Sequence, residues 1–263
     1  MIPNNKFNSI ERKESLVVKK GPSSIIQGEL YYYQHIPPSL SHYFPVMHHC
    51  SNESIIEITM DYIVGTPLFF LYRDKQLTPT IVDELFDILH LFHTTSYPIH
   101  IQEENVYNNY FKKLEKRFNE EYDFVDASII YQQVIQSLKE TYQPVIVGVI
   151  HGDFWFSNIL KTDHYKVIDM KGQVDSILTL NGDLYYDYGK LYQSISGYDL
   201  IVQGCTLDKD YIDKMETYFL SKCKKIGLNL PYLKAVRDSL IFGTIPFLES
   251  NKENVWFFLK SIL

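Results

Sequence analysis

A chain of 263 residues is long enough for one large domain or for two lobes around a cleft. Its formal charge of −7 argues against nucleic acid or an anionic membrane surface as a partner, and three widely spaced cysteines (Cys50, Cys205, Cys223) argue against a disulfide framework or a paired-cysteine zinc site. No apolar run approaches the roughly 20 residues of a membrane span and the N-terminus shows no hydrophobic signal region, so the expectation is a reduced, cytoplasmic protein without membrane insertion.

Residues 1–9 are polar and are expected to be poorly ordered. Leu16-Val17-Val18-Lys19-Lys20 predicts a short strand ended by Gly21-Pro22. Strand side chains alternate, so Lys19 and Lys20 point to opposite faces. Gly28 to Tyr33 lies in a predicted helix that carries Glu29 and stops before Pro37-Pro38. Ser54 to Met60 is a β-rich run that leads into Asp61-Tyr62-Ile63-Val64-Gly65. His48-His49-Cys50 lies just before it, but adjacent side chains rarely converge on one metal ion without a distant partner, and no metal site is expected there.

From residue 79 the pattern becomes helical. Ile81, Leu85, Ile88, Leu89 and Phe92 recur at helical spacing, with Thr78 or Thr80 as the cap. His90 and His93 sit on this helix as packed or solvated residues. Residues 105–142 predict two further helices whose Lys/Glu-rich faces are expected to be solvated. Pro144 stops the second, and Val145 to Ile150 form a buried apolar run leading into His151.

Three pieces between Val149 and Leu191 carry chemistry. The first is His151-Gly152-Asp153 with Asn158 five residues past the aspartate. The second is Asp169, which closes the run Lys166-Val167-Ile168 and precedes Met170-Lys171-Gly172. The third is Gly182-Asp183 with Asp187 four residues later, opening a helix. An Asp, an Asn five residues on and a second Asp after a short strand is the arrangement of a phosphoryl-transfer site. Ile159-Leu160 and Tyr165 to Ile168 predict a hairpin that brings Asn158 and Asp169 together. Tyr188, Leu191, Tyr192 and Ile195 form one apolar helix face, and two or three helices follow Gly197.

This stretch resembles the catalytic core of the aminoglycoside phosphotransferase and choline kinase-like superfamily, small-molecule relatives of protein kinases. HGDFWFSN matches H-G-D-x-x-x-x-N, VIDMKG matches I-D-x-x-G, and GDLYYDYGKL matches a G-D-x-x-Y-D-x-x-K-L variant associated with bacterial surface-polysaccharide genes. The resemblance implies an α+β, two-lobed protein kinase-like fold, with a small antiparallel-sheet N-lobe over residues 1–63 and a mostly helical C-lobe over 64–263. It implies Asp153 as catalytic base, Asn158 and Asp169 as metal ligands, and His151 and Asp187 as supports of the catalytic loop. LVVK aligns with the strand lysine that grips the nucleotide phosphates, favouring Lys19 over Lys20, with Glu29 as the helix glutamate that holds it. Met60 would back the adenine pocket, and backbone groups of Asp61, Tyr62 and Ile63 would meet the base.

No glycine precedes Gly21, so the Gly-rich loop of protein kinases is absent; the phosphate-covering loop is expected to be short and near residues 8–14. Lys171 departs from Asp-Phe-Gly and either touches phosphate or acceptor or shields the acidic cluster. The activity implied is transfer of the γ-phosphate of ATP (or GTP), with Mg²⁺, to a hydroxyl of a small molecule: a sugar or polyol of surface-polysaccharide metabolism. The alternatives are an amino alcohol, as in choline or ethanolamine kinases, and a nucleotide-binding pseudokinase serving as an interaction module. Trp155, Trp256 and the many tyrosines could build an aromatic cage for a cationic head group.

Overall fold

Two hydrophobic cores of unequal size organise the molecule, whose computed structural model describes residues 9–52 and 55–263. Residues 1–8, expected to be poorly ordered, and Ser54, expected to start a strand, lie outside the described residues. The smaller core belongs to a four-stranded antiparallel sheet of order β1-β2-β4-β3, built from β1 (Ser9–Lys13), β2 (Leu16–Pro22), β3 (Met47–Asn52) and β4 (Ile55–Asp61). On β4, Ile56, Ile58 and Met60 are buried at alternate positions, the period of a half-buried strand. Helix α1 (Ser23–His35) lays Ile26 and Leu30 on these side chains. The opposite side of α1 sends Tyr32 into the larger core, which also takes in Leu40 and Phe44.

The remainder is mostly helical. A short strand β5 (Thr66–Pro67) precedes α2 (Leu68–Arg73), α3 (Pro79–Thr94), α4 (Glu103–Glu121) and α5 (Ala127–Thr141). The side chain of Thr78, not Thr80, caps α3 by accepting from the Ile81 N–H at 3.3 Å. Six short strands follow: β6 (Ile146–Val147), β7 (Ile159–Lys161), β8 (Tyr165–Val167), β9 (Gln173–Val174), β10 (Ile177–Leu178) and β11 (Gly182–Asp183). They pair as β6–β11, β9–β10 and β5–β7–β8, and the expected β7–β8 hairpin forms with Ile159 opposite Val167.

Helix α6 (Leu184–Ile195) runs through the centre of the larger core with all but its first residue buried. Gly189 permits this, since a Cβ there would lie 2.7 Å from Val236. Four helices then complete the described chain, where two or three were expected: α7 (Tyr198–Val202), α8 (Lys209–Lys225), α9 (Leu230–Thr244) and α10 (Lys252–Ile262). Gly197, Gly204 and Asn251, all at positive φ, make the extra breaks. Among the described residues, no helix is long and apolar enough to cross a membrane.

Candidate active site

The sheet contributes one buried ion. Lys19 sits on the inner face of β2, and its ammonium lies 2.5 Å from Glu29 Oε2 on α1 and 2.7 Å from Asp169 Oδ1, 150 residues away in sequence. Burial opposes that charge, but the two carboxylates outweigh it and hold the Lys19 pKa above the ordinary lysine range. Burial pushes Glu29 up, to about 7, against the pull of Lys19. Lys20 points the other way, half-exposed and paired with Glu57 at 2.7 Å.

Two glycines let α1 come this close to the Asp169 loop. A Cβ on Gly28 would fall 2.2 Å from the Lys171 carbonyl oxygen, and one on Gly172 would fall 1.8 Å from the Gly28 oxygen. Asp169 itself has φ 60, unusual for a residue with a side chain. It is fixed from both sides: Ile168 N–H donates to Asn158 O and Lys171 N–H donates to His151 O, each at 3.0 Å. These bonds tie the Asp169 loop to the loop carrying Asp153.

The second loop, residues 148–158 between β6 and β7, is suspended from Asp187. This fully buried carboxylate accepts the His151 N–H at 2.9 Å and the Gly152 N–H at 2.7 Å. Gly152 has φ 80, and His93 on α3 lies 3.1 Å from the same carboxylate. His93, read from sequence as a packed or solvated residue, is thus part of the loop's support. His151 is fully buried, its pKa lowered chiefly by that burial, and its Nδ1 accepts the Asp153 N–H at 3.2 Å. Asp153, one-third exposed, faces the cleft, with Lys190 of α6 at 2.9 Å. Burial opposes the Lys190 charge, but Asp153 and Tyr186 raise its pKa above the usual range.

Asn158 turns its amide nitrogen to Asp153, at 3.1 Å from the carbonyl oxygen and 3.0 Å from Oδ2. This leaves its amide oxygen, at one end of the β7–β8 hairpin, and the second oxygen of Asp169, at the other, as hard donors. The described residues contain no cluster of three or more His, Cys, Asp or Glu suited to a metal ion. Mg²⁺ needs no such cage, because it commonly takes one or two protein oxygens beside phosphate and water. The donor set fits a nucleotide-bound Mg²⁺ and does not fit an ion held by protein alone.

Strand β4 ends beside this site. Met60 is buried and accepts a contact from Tyr33 Oη at 3.2 Å. The Asp61 N–H donates to Val46 O and the Tyr62 N–H to Ser15 O, at 3.0 and 2.7 Å. Among the described residues the Ile63 N–H has no backbone acceptor. Of residues 8–14, where the sequence leads one to look for a phosphate-covering loop, residue 8 lies outside the described residues. Residues 9–13 are strand β1, zipped to β2, and the turn at Glu14-Ser15 is bonded to Tyr62 at the far end of the sheet from Ser9.

Beside Asp153 opens a cavity of about 250 Å³, lined by α4, α6, α9 and the two loops. Lys113, Lys171 and Lys190 surround the Tyr186 ring there, and Lys171 bonds Asn109 Oδ1 at 2.8 Å. Lys113 donates to Tyr186 Oη at 3.2 Å; burial and the neighbouring Lys171 push its pKa down to about 7. Burial would raise the Tyr186 phenol, but the three lysines overcome it and lower it to about 7. The expectation of a solvated lysine face on this helix fails at Lys113, which the packing of α4 over α6 turns inward. Neither tryptophan lines the cavity: Trp256 is stacked on Phe124 at 4.4 Å in the core, and Trp155 lies near Tyr198. Sequence reasoning passed over Lys113, Asn109 and Lys190. Only Lys190 left a signal, four residues after Tyr186 on a helix and inside a quoted motif.

The molecule has the fold shared by aminoglycoside phosphotransferases and choline kinase-like proteins, small-molecule relatives of protein kinases. It is similar to aminoglycoside phosphotransferase APH(4)-Ia with a TM-score of 0.67 and 13% identity, covering 98% of this chain and 93% of that one. Similarity to a choline/ethanolamine kinase family protein from Mesorhizobium loti gives a TM-score of 0.60 at 11% identity, covering 97% and 84%. Spectinomycin phosphotransferase APH(9)-Ia, solved with ADP and spectinomycin, gives 0.57 at 16% identity, covering 99% and 86%. No family model matches the sequence, and no curated protein matches it.

Proposed function

We propose that this protein is an ATP-dependent kinase that phosphorylates a hydroxyl group of a small molecule. The observation that carries the reading is the Lys19–Glu29–Asp169 ion cluster, which joins the sheet to the loop that also anchors Asp153 and Asn158. A surface ion pair needs none of this burial or convergence, whereas a lysine held for phosphate does. Residues 1–63 form the nucleotide-binding lobe and residues 64–263 the catalytic and acceptor-binding lobe. Adenine packs against Met60, with backbone groups of Asp61 and Tyr62 at its edge and the Ile63 N–H as the uncommitted donor. Lys19 holds the α- and β-phosphates.

Asn158 and Asp169 would hold Mg²⁺, which would supply positive charge to neutralise the nucleotide phosphates. Asp153 orients the acceptor hydroxyl and takes its proton late, since a loose phosphoryl-transfer transition state asks little early abstraction. Lys190, beside Asp153, offers positive charge where the transferred group passes. His151 and Asp187 fix the loop, and the protein works in the cytoplasm on a sugar or polyol, consistent with a role in surface-polysaccharide biosynthesis.

The test is Mg·ATP binding and acceptor-dependent ATP consumption by the purified chain and by Asp169→Asn. The expected outcome is that Asp169→Asn loses metal-dependent nucleotide affinity by at least about tenfold while its melting temperature stays near that of the parent. Unaltered Mg·ATP binding in the variant would remove Asp169 as a ligand. Binding without turnover on any hydroxyl compound would favour the pseudokinase instead.

A further inference from the structure

We infer that the acceptor is an anion: a small hydroxyl compound that carries a phosphate or carboxylate group, recognised by Lys113 and Lys171 beside Asp153. This rests on the kinase reading of the same cleft and adds the chemical class of its second substrate. Three ammonium groups converge on one side of Asp153, and they are not equivalent. Lys190 is paired with Asp153 at 2.9 Å. Lys113 and Lys171 have no carboxylate within ion-pairing distance among the described residues; their polar partners are the Tyr186 hydroxyl and the Asn109 amide oxygen. The Lys171 ammonium also stands 4.9 Å over the Tyr186 ring and that of Lys113 5.6 Å from it.

Gathering like charges around one ring, with burial, is costly in a lone protein. The depressed pKa of Lys113 expresses that cost. The opposing acidic groups at the cavity are Asp153, paired with Lys190, Asp169, paired with Lys19, and the Tyr186 phenol. Nothing there offers a cation a carboxylate that is not already engaged, so the cavity is a poor receptor for an amino alcohol or a polyamine.

The nucleotide does not account for the two lysines. Lys19 and Glu29 lie on the sheet side of Asp169, whereas no residue of β1 to β4 lines the cavity. Away from the α6 and loop walls it is closed by α4 and α9, which contribute Ser239, Thr244, Leu114 and Leu240. At about 250 Å³ it falls below the roughly 300–1,000 Å³ of drug-sized sites, which suits one sugar ring with its anionic group.

The experiment is calorimetric binding to the full chain of four probes: glucose 1-phosphate, glucuronate, glucose and choline. Either anionic probe should bind about 10–100-fold more tightly than glucose, the range of one or two charge-assisted hydrogen bonds, and more weakly as salt rises. Which of the two binds better names the anion. In Lys113→Gln/Lys171→Gln that preference should vanish, and Lys113→Arg/Lys171→Arg should keep it; melting temperatures establish that both variants are folded. Tightest binding of choline, or equal binding of glucose and both anions, overturns the inference. Because no ATP is present, the binding result is independent of the kinase reading, which stands or falls on Mg·ATP binding and turnover.

Discussion

The two lysine sites of this molecule solve opposite electrostatic problems. On the nucleotide side, Lys19 is clasped by two carboxylates and its charge is locked in. Beside α4, at the proposed acceptor site, Lys113 and Lys171 are crowded together without a carboxylate partner among the described residues, and the Lys113 charge is destabilised. The first is a finished piece of structure whose ion pairs also hold the lobes in register. In the proposed reading, the second gives up stability to a surface for a ligand. Both surround the same loop, so perturbing that loop should cost function most, and perturbing either lysine site should separate stability from binding.

Asp153→Asn tests the loop they share. It keeps the shape and can still donate to the acceptor region, but cannot take a proton. Turnover should fall by roughly 10²–10⁴-fold, about 3–5 kcal/mol of barrier, with Mg·ATP affinity nearly intact. Steady-state turnover together with nucleotide titration reads both quantities, and near-normal turnover would leave Asp153 without a catalytic role. Asp187→Ala should differ in kind. It strips the His151 and Gly152 amides of their buried acceptor, at about 1–3 kcal/mol for each unsatisfied group, so melting temperature and activity should fall together. An unchanged melting temperature would show that the loop holds its shape without that anchor.

Lys19→Ala against Lys20→Ala sharpens the finished half of the comparison. Removing Lys19 leaves Glu29 and Asp169 facing each other with Glu29 buried, so both stability and ATP affinity should drop. Lys20 is half-exposed and its pair with Glu57 is screened by water, so its loss should stay within about 0.5 kcal/mol. Equal effects from the two substitutions would mean that the inner face of β2 is not the functional one.

The difference between the two lysine sites is also a difference in what could be read from the sequence. Lys19, Glu29, Asp153, Asn158, Asp169 and Asp187 could be singled out because their short segments match motifs of the family the stretch resembles, although contacts such as Lys19–Asp169 span 150 residues. Period-two alternation on β4 and the Thr78 cap of α3 are local facts. Lys113 and Asn109 are not local. They lie on a helix whose Lys/Glu pattern reads as solvated from outside, and only the packing of α4 against α9 decides that this turn of it faces Tyr186. His93 was equally invisible, since its partner Asp187 is 94 residues away. The close approach of Gly28 to Gly172 likewise needs the tertiary contact before either glycine acquires a meaning.

The smallest expected effect concerns pH, and it separates the two ammonium groups directly. Lys113 shares a hydrogen bond with the Tyr186 phenol, with Lys171 on the Asp169 loop and Arg117 one turn further along α4. Both Lys113 and Tyr186 have folded-state pKa values brought down to about 7, from about 10 for each group in an unfolded chain. Whichever of the two gives up its proton, the folded pair binds fewer protons than the unfolded chain between about pH 7 and pH 10. Stability from this pair is therefore fully present above the unfolded values and is lost as pH falls through about 7. Lys19 behaves in the reverse sense, its raised pKa giving a contribution that persists up to and beyond the ordinary lysine range. The measurement is the melting temperature of the parent chain and of Lys113→Gln at pH 7 and pH 9.5. Subtracting one protein from the other cancels the general self-repulsion of an acidic chain. Lys113→Gln should gain on the parent at pH 7 relative to pH 9.5 by about 2–4 °C, the shift roughly 1 kcal/mol produces in a chain of this size; water reaching the partly exposed lysine limits it to that scale. A difference that does not change with pH would mean that the ammonium is already neutralised by a partner on α4, α6 or α9, and would remove the charge contrast between the two sites.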